Sequence, residues 1–311
     1  MKYFYLFFIS ISEKISCIFI AGGRKCRPNS SVEVLTGDHK LKQFPDLSKK
    51  IQGPEMVMHN NTILLCGGTY NAKNCFQFHH GVWKKHSTLN VPRYGHSAVS
   101  TQTATFIFGG LHSDTTYEYL PTDSKKWLIG KNEIPGGFNR GCAIAMKSDQ
   151  EIWLIGGLGE VGMGIAKRIL SFNVKDHTFH QLPFQLNVAR VSQRCAHIPN
   201  TNKIIVTGGH YVDHHFFNST EIIDTESGDV TIASPMNYKR KGHGMGVVTI
   251  NGEDKLAVFG GEFDGSRKLD NVEIFNNQTE KWELTGIKLN EARYDFGYLT
   301  VKLRDVIDKR K

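Results

Sequence analysis

The sequence holds no run of about 18 or more apolar residues, so no membrane-spanning helix is written into it. Proline is scarce, with 9 residues in 311, and glycine follows no three-residue period, which excludes a collagen-like chain. Charge of one sign is never concentrated. The 38 basic and 30 acidic side chains interleave, and the net charge of +8 is spread over short clusters. These are Lys49-Lys50, Lys84-Lys85, Lys125-Lys126, Lys239-Arg240-Lys241 and a tail, Lys309-Arg310-Lys311. No continuous basic stripe results, so nucleic acid is not an expected partner. Also missing are a Gly-x-Ser-x-Gly elbow, a His-Glu-x-x-His pair and a Walker lysine loop. No catalytic residue, metal or cofactor is expected.

What the sequence does have is repetition. A short apolar run ending in Gly-Gly occurs six times: CIFIAGG, ILLCGG, TFIFGG, IWLIGG, IIVTGG and LAVFGG. The doublets begin at Gly22, Gly67, Gly109, Gly156, Gly208 and Gly260, at spacings of 45, 42, 47, 52 and 52. Each run is β-branched or aromatic and bounded by glycine, the mark of a buried strand. A second strand follows (SVEVL, CFQFH, TYEYL, RILSF, TEIID, NVEIF). A third is anchored by Trp83, Trp127, Phe179 and Trp282, and less firmly by Leu41 and Val230. A further strand precedes the later doublets, as in GHSAVS and GCAIAM. Four short strands per unit of about 50 residues, without helical period, describe a propeller blade.

The pattern resembles the kelch repeat from Ile15 to about Lys302. The resemblance rests on the doublets, the Trp 15 to 22 residues after them, and Arg-x-x-His/Ala opening the next unit. The implied fold is all-β: a six-bladed kelch β-propeller with four antiparallel strands per blade. The first run lacks an innermost strand before it, and ARYDFGYLTVK (residues 292–302) ends the chain without a doublet. The C-terminal strand is therefore expected to close the first blade, leaving no open edge. Residues 13–303 form one domain in this reading, and 304–311 a basic tail.

Residues 1–12 read MKYFYLFFISIS, a basic residue before an apolar stretch, with Ser10 and Ser12 as small residues of a cleavage site. A secretory signal is the expectation, with an extra outer strand as the alternative. Among the six Cys, Cys66 and Cys75 flank one strand turn and are expected to pair. Cys142 and Cys195 occupy nearly equivalent strand positions, as either a bridge or buried free thiols. Four Asn-x-Ser/Thr sequons, at Asn29, Asn60, Asn218 and Asn277, fall in expected turns and are candidate glycosylation sites.

Two motifs invite chemistry and are declined. Gly157-Leu-Gly-Glu-Val-Gly162 matches G-x-G-x-x-G, but RILSF follows where a phosphate-binding helix would start. His210, Asp213, His214 and His215 have ligand side chains, yet adjacent residues of an extended chain point opposite ways. His96, His197 and His243 recur three residues after an Arg, which repeated packing explains as well as function does.

In a four-strand meander, the loop after each Gly-Gly and the blade-to-blade loop emerge on one face. The first kind carries Arg24, Tyr70, His112 and Tyr211. The second carries Arg93, Arg140, Arg194, Arg240 and Arg293, expected to ring the channel mouth or else to brace blade junctions. Kelch domains of ubiquitin-ligase adaptors capture acidic peptides on the corresponding face, and the resemblance implies a similar partner here. The expected protein is a monomeric, secreted, non-enzymatic interaction scaffold. The alternatives are a cytoplasmic substrate-recognition module of a ubiquitin ligase without its cullin-docking domain, and a sugar-directed enzyme.

Overall fold

The computed structural model describes residues 15–37, 44–69, 72–79, 81–111, 113–159, 164–211 and 215–307. Residues 1–12, Leu41, Tyr70, His112, Asp213, His214 and the basic cluster 309–311 lie outside the described residues.

The fold is a six-bladed β-propeller. Strands β1 (Ser16–Ala21) and β2 (Val32–Leu35) belong to the first blade. The second holds β3 (Glu55–His59), β4 (Thr62–Cys66), β5 (Asn74–His79) and β6 (Val82–Thr88). The third holds β7 (Ser97–Ser100), β8 (Ala104–Phe108), β9 (Tyr117–Pro121) and β10 (Leu128–Ile129). The fourth has β11 (Cys142–Ala145), β12 (Glu151–Ile155), β13 (Arg168–Asn173) and β14 (Phe179–Gln185). The fifth has β15 (Arg194–His197), β16 (Lys203–Thr207), β17 (Thr220–Asp224) and β18 (Val230–Ala233). The sixth has β19 (Gly244–Ile250), β20 (Glu253–Phe259), β21 (Asn271–Asn276) and β22 (Lys281–Lys288). Strand β23 (Gly297–Lys302) then pairs antiparallel with β1, from Ala21–Gly297 to Ser16–Lys302, and closes the ring. A short helix, α1 (Leu303–Ile307), follows.

The continuous apolar runs have a simple cause. Each second strand is buried on both faces, so successive side chains feed two different blade interfaces. In β1, Phe19 packs with Ile63, Leu65 and Phe78 of the second blade, whereas Ile18 and Ile20 pack with Ala257 and Phe259 of the sixth. The described apolar core accordingly falls into six clusters, one at each blade interface. Each fully buried Leu, Ile or Phe contributes about 1.5–3 kcal/mol. Trp127 and Trp282 reach back to the preceding blade, donating indole N–H bonds to Ser87 Oγ at 2.9 Å and Thr220 Oγ1 at 3.1 Å.

All twelve doublet glycines have positive φ, from 60° to 108°. At Gly109 a Cβ would overlap the Phe138 carbonyl of the next blade-to-blade loop, so the close approach itself requires glycine. Cys66 and Cys75 are bonded across β4 and β5. Cys142 and Cys195 are also bonded, joining the innermost strands of the fourth and fifth blades, while Cys17 and Cys26 are free. No helix among the described residues is long and apolar enough to cross a membrane.

Candidate functional site at the channel mouth

The loops after Gly-Gly and the blade-to-blade loops do meet on one face. Bridges join Arg24 to Tyr294, Asn139 to Leu158, Val191 to His210 and Lys241 to Glu262. The blade-to-blade loops reach the channel through six equivalent residues, Gly53, Gly95, Arg140, Ser192, Gly242 and Asp295. All six are left-handed, with φ of 65°, 68°, 52°, 55°, 56° and 48°. Backbone N–H groups donate around the ring from Gly53 to Asp295, Asp295 to Gly242, Gly242 to Ser192, Ser192 to Arg140 and Arg140 to Gly95, at 2.6–3.0 Å. Glycine suits this conformation, while an L side chain costs roughly 1–2 kcal/mol. Three blades accept that cost and thereby carry a guanidinium, a hydroxyl and a carboxylate to the mouth.

This register corrects the expected ring of five arginines. Arg93, Arg240 and Arg293 are at most 1% exposed and lie inside blade junctions, not at the mouth. Arg93 Nε is 3.1 Å from Glu118 Oε1, Arg240 Nη2 is 2.7 Å from Glu273 Oε1, and Arg293 Nη2 is 3.0 Å from Glu33 Oε1. The fourth member is Arg190, with Nη2 at 2.7 Å from Glu221 Oε1, and not Arg194. Each of these arginines also donates to the first carbonyl of a doublet, Gly109, Gly208, Gly260 or Gly22, at 2.7–2.9 Å. Their carboxylates accept N–H bonds from the loop as well, as Glu118 does from Asn90 and Val91. Burial holds these guanidinium pKa values down, and the paired carboxylates oppose it. The sign of this network is a motif that sequence reading passed over, Leu/Met-Asn-x-x-Arg, ending at Arg93, Arg190, Arg240 and Arg293. His197 is likewise out of register: Gln193 occupies the place of His96 and His243, with its Nε2 donating to Ile155 O at 2.8 Å.

Arg140 and Arg194 belong to no junction and line the funnel with Glu55, Tyr94, Ser192 and Asp295. Arg194 Nη1 is 3.6 Å from Glu55 Oε1, with side chains 12% and 16% exposed, and Arg194 Nε donates to His243 O at 2.9 Å. Arg194 also lies over the Tyr298 ring and Arg140 over Tyr94, at 5.4 and 5.1 Å. Gln52 Nε2 and the Tyr94 hydroxyl donate to Asp295 Oδ2 at 3.2 and 3.5 Å. Burial raises the Glu55 carboxyl to about 7; Arg194 opposes this and Asp295 adds to it. Burial works against the Arg140 charge, but Asp295 and Tyr94 outweigh it and hold that pKa above its ordinary value. The buried Ser192 hydroxyl has no protein partner among the described residues.

The funnel encloses a cavity of about 30 Å³, room for a water or two but not for a sugar ring. Arg140 and Arg194 are therefore open to a larger molecule only from the loop face. That face presents exposed Arg24 from the first blade, and Leu111, Leu158 and Tyr211, 37–48% exposed, from the third to fifth. The described flanks of the Gly157 loop pair with each other, Leu158 with Ile165, and lead into strand β13 rather than a helix. Among the described residues no three His, Cys, Asp or Glu side chains cluster as a metal site. A scan against protein-family models finds no match for this chain, and a search of the curated proteins finds none.

Proposed function

We propose that the protein is a kelch-type propeller acting as a non-enzymatic interaction scaffold, which takes an acidic segment of a protein partner at Arg140 and Arg194. The observation that carries this reading is the contrast between four arginines sealed against carboxylates and two left at the funnel. The backbone cost accepted at Arg140 supports a role for its side chain beyond packing. The apolar arc of Leu111, Leu158 and Tyr211 adds area for a macromolecule beside the charged center. Two disulfides favour an oxidising compartment, hence a secreted protein.

Binding of a labelled polyglutamate peptide, followed by fluorescence anisotropy, tests the reading. The Arg140→Ala/Arg194→Ala variant is expected to bind at least about tenfold more weakly, or about 1.4 kcal/mol, while still melting cooperatively. Equal binding by parent and variant refutes the assignment. A second reading, a sugar-directed enzyme, draws on Glu55 and Asp295, an acidic pair whose Glu55 is held at about 7. The small funnel weighs against it.

A further inference from the structure

The four sequons do not stand in equivalent surroundings. Asn29 and Asn218 lie in the loops that follow Gly-Gly, where their amides and hydroxyls are already used. Asn29 Nδ2 donates to Glu291 Oε2 at 2.5 Å, and its Oδ1 accepts the Ser31 N–H at 2.9 Å. The hydroxyl of that sequon, Ser31 Oγ, accepts a bond of 2.6 Å from the buried Arg293. Asn218 Nδ2 donates to Met236 O at 3.0 Å. Its Thr220 is fully buried and accepts the Trp282 indole N–H. The neighbouring Ser219 Oγ accepts from Arg190 at 3.1 Å, as Ser31 does from Arg293. These two sequons are thus by-products of hydroxyls that the arginine junctions require.

Asn60 and Asn277 sit instead on hairpin tips and are exposed. Asn60 and Asn61, with φ of 44° and 56°, form the two-residue turn between β3 and β4, a backbone that favours Asn. Asn277 lies between β21 and β22, and its Nδ2 donates to Pro199 O in the β15–β16 turn at 3.4 Å, a long contact at the surface. First-to-second and third-to-fourth strand turns emerge together in a meander, so both tips occupy the face opposite the funnel.

We infer that Asn60 and Asn277 are the N-glycan acceptors of this chain and that Asn29 and Asn218 are not. The inference rests on the reading of the protein as secreted. A glycan on Asn29 or Asn218 replaces one of the two N–H groups of an amide engaged in a partly buried bond and crowds a bulky polar chain against that bond's partner. Glycans on the hairpin tips cost no such contact. They cover the far face and leave Arg140 and Arg194 open to a macromolecule.

The test expresses the full chain behind a heterologous secretory leader and maps glycans on protein recovered from the medium. Two glycans are expected, at Asn60 and Asn277. Asn60→Gln and Asn277→Gln should each lose one glycan mass, and the double variant both. Sugar on Asn29 or Asn218 of cooperatively melting protein, or bare Asn60 and Asn277, overturns the assignment. The chain with its own residues 1–12 is run beside it. Its retention in the cytosol without sugar refutes secretion while the site pattern under the borrowed leader is read independently.

Discussion

Arg93 and Glu118 are both withdrawn from solvent, and each is tolerable there only because of the other. Two blades dispense with the pair altogether. Phe138 and Leu170 occupy the corresponding positions in the fourth blade and share one apolar cluster, while Ile51 and Phe76 occupy them in the second and line one small crevice. Removing one partner leaves a buried charge, so Arg93→Phe should cost about 3–5 kcal/mol. Arg93→Phe with Glu118→Leu, which copies the fourth blade, should recover a large part of that loss. Urea midpoints of the parent, both single variants and the double variant give the coupling. Additive losses would mean that the two side chains stabilise the junction independently. Glu55 makes the opposite kind of prediction. Its carboxyl moves from an ordinary 4.5 to about 7 in the fold, so the native state holds the proton more tightly than the unfolded chain. The contribution of this carboxyl to stability is then greatest below about pH 4.5 and falls by about 3 kcal/mol as pH rises through 7. Glu55→Gln should flatten that slope in urea midpoints measured across the range. Parallel curves for parent and variant would show a carboxyl that ionises as it does in water.

At the scale of elements, the two disulfides differ in what they span. Cys66–Cys75 ties neighbouring strands of one sheet with a sequence separation of 9. Cys142–Cys195 ties innermost strands of adjacent blades with a separation of 53. On loop entropy alone, losing the first should cost about 2.5 kcal/mol and losing the second about 4 kcal/mol. Denaturation of Cys66→Ala/Cys75→Ala beside Cys142→Ala/Cys195→Ala measures the order, and a reversed order would mean that native-state packing outweighs chain entropy. The first bridge was legible because nine residues and one turn bring its ends together. The second was not, since it depends on two blades standing with these Cα atoms 6.0 Å apart. The same difference separates Arg190 from Arg194. Reading Arg-x-x-His as the repeat put Arg194 and His197 in register, whereas hydrogen bonding aligns Asn187-x-x-Arg190 with Asn90-x-x-Arg93.

At the scale of the molecule, the ring turns a local repeat into one site. No blade holds more than a fraction of the funnel: Glu55 comes from the second, Arg140 from the loop entering the fourth, Arg194 from the start of β15 in the fifth, and Asp295 from the chain's closing segment. The sequence alone determined the blades, their number, their closure by the last strand and the face on which the loops gather. Those features follow from local pattern, because a strand buried on both sides must be apolar throughout and a left-handed doublet must be glycine. Only the tertiary structure decided which arginines are sealed in junctions and which line the funnel. It also paired Glu55 with Arg194, residues 139 positions apart in the chain. Such choices turn on burial and on distances across blades, and a repeat repeated six times leaves both unwritten in any one copy.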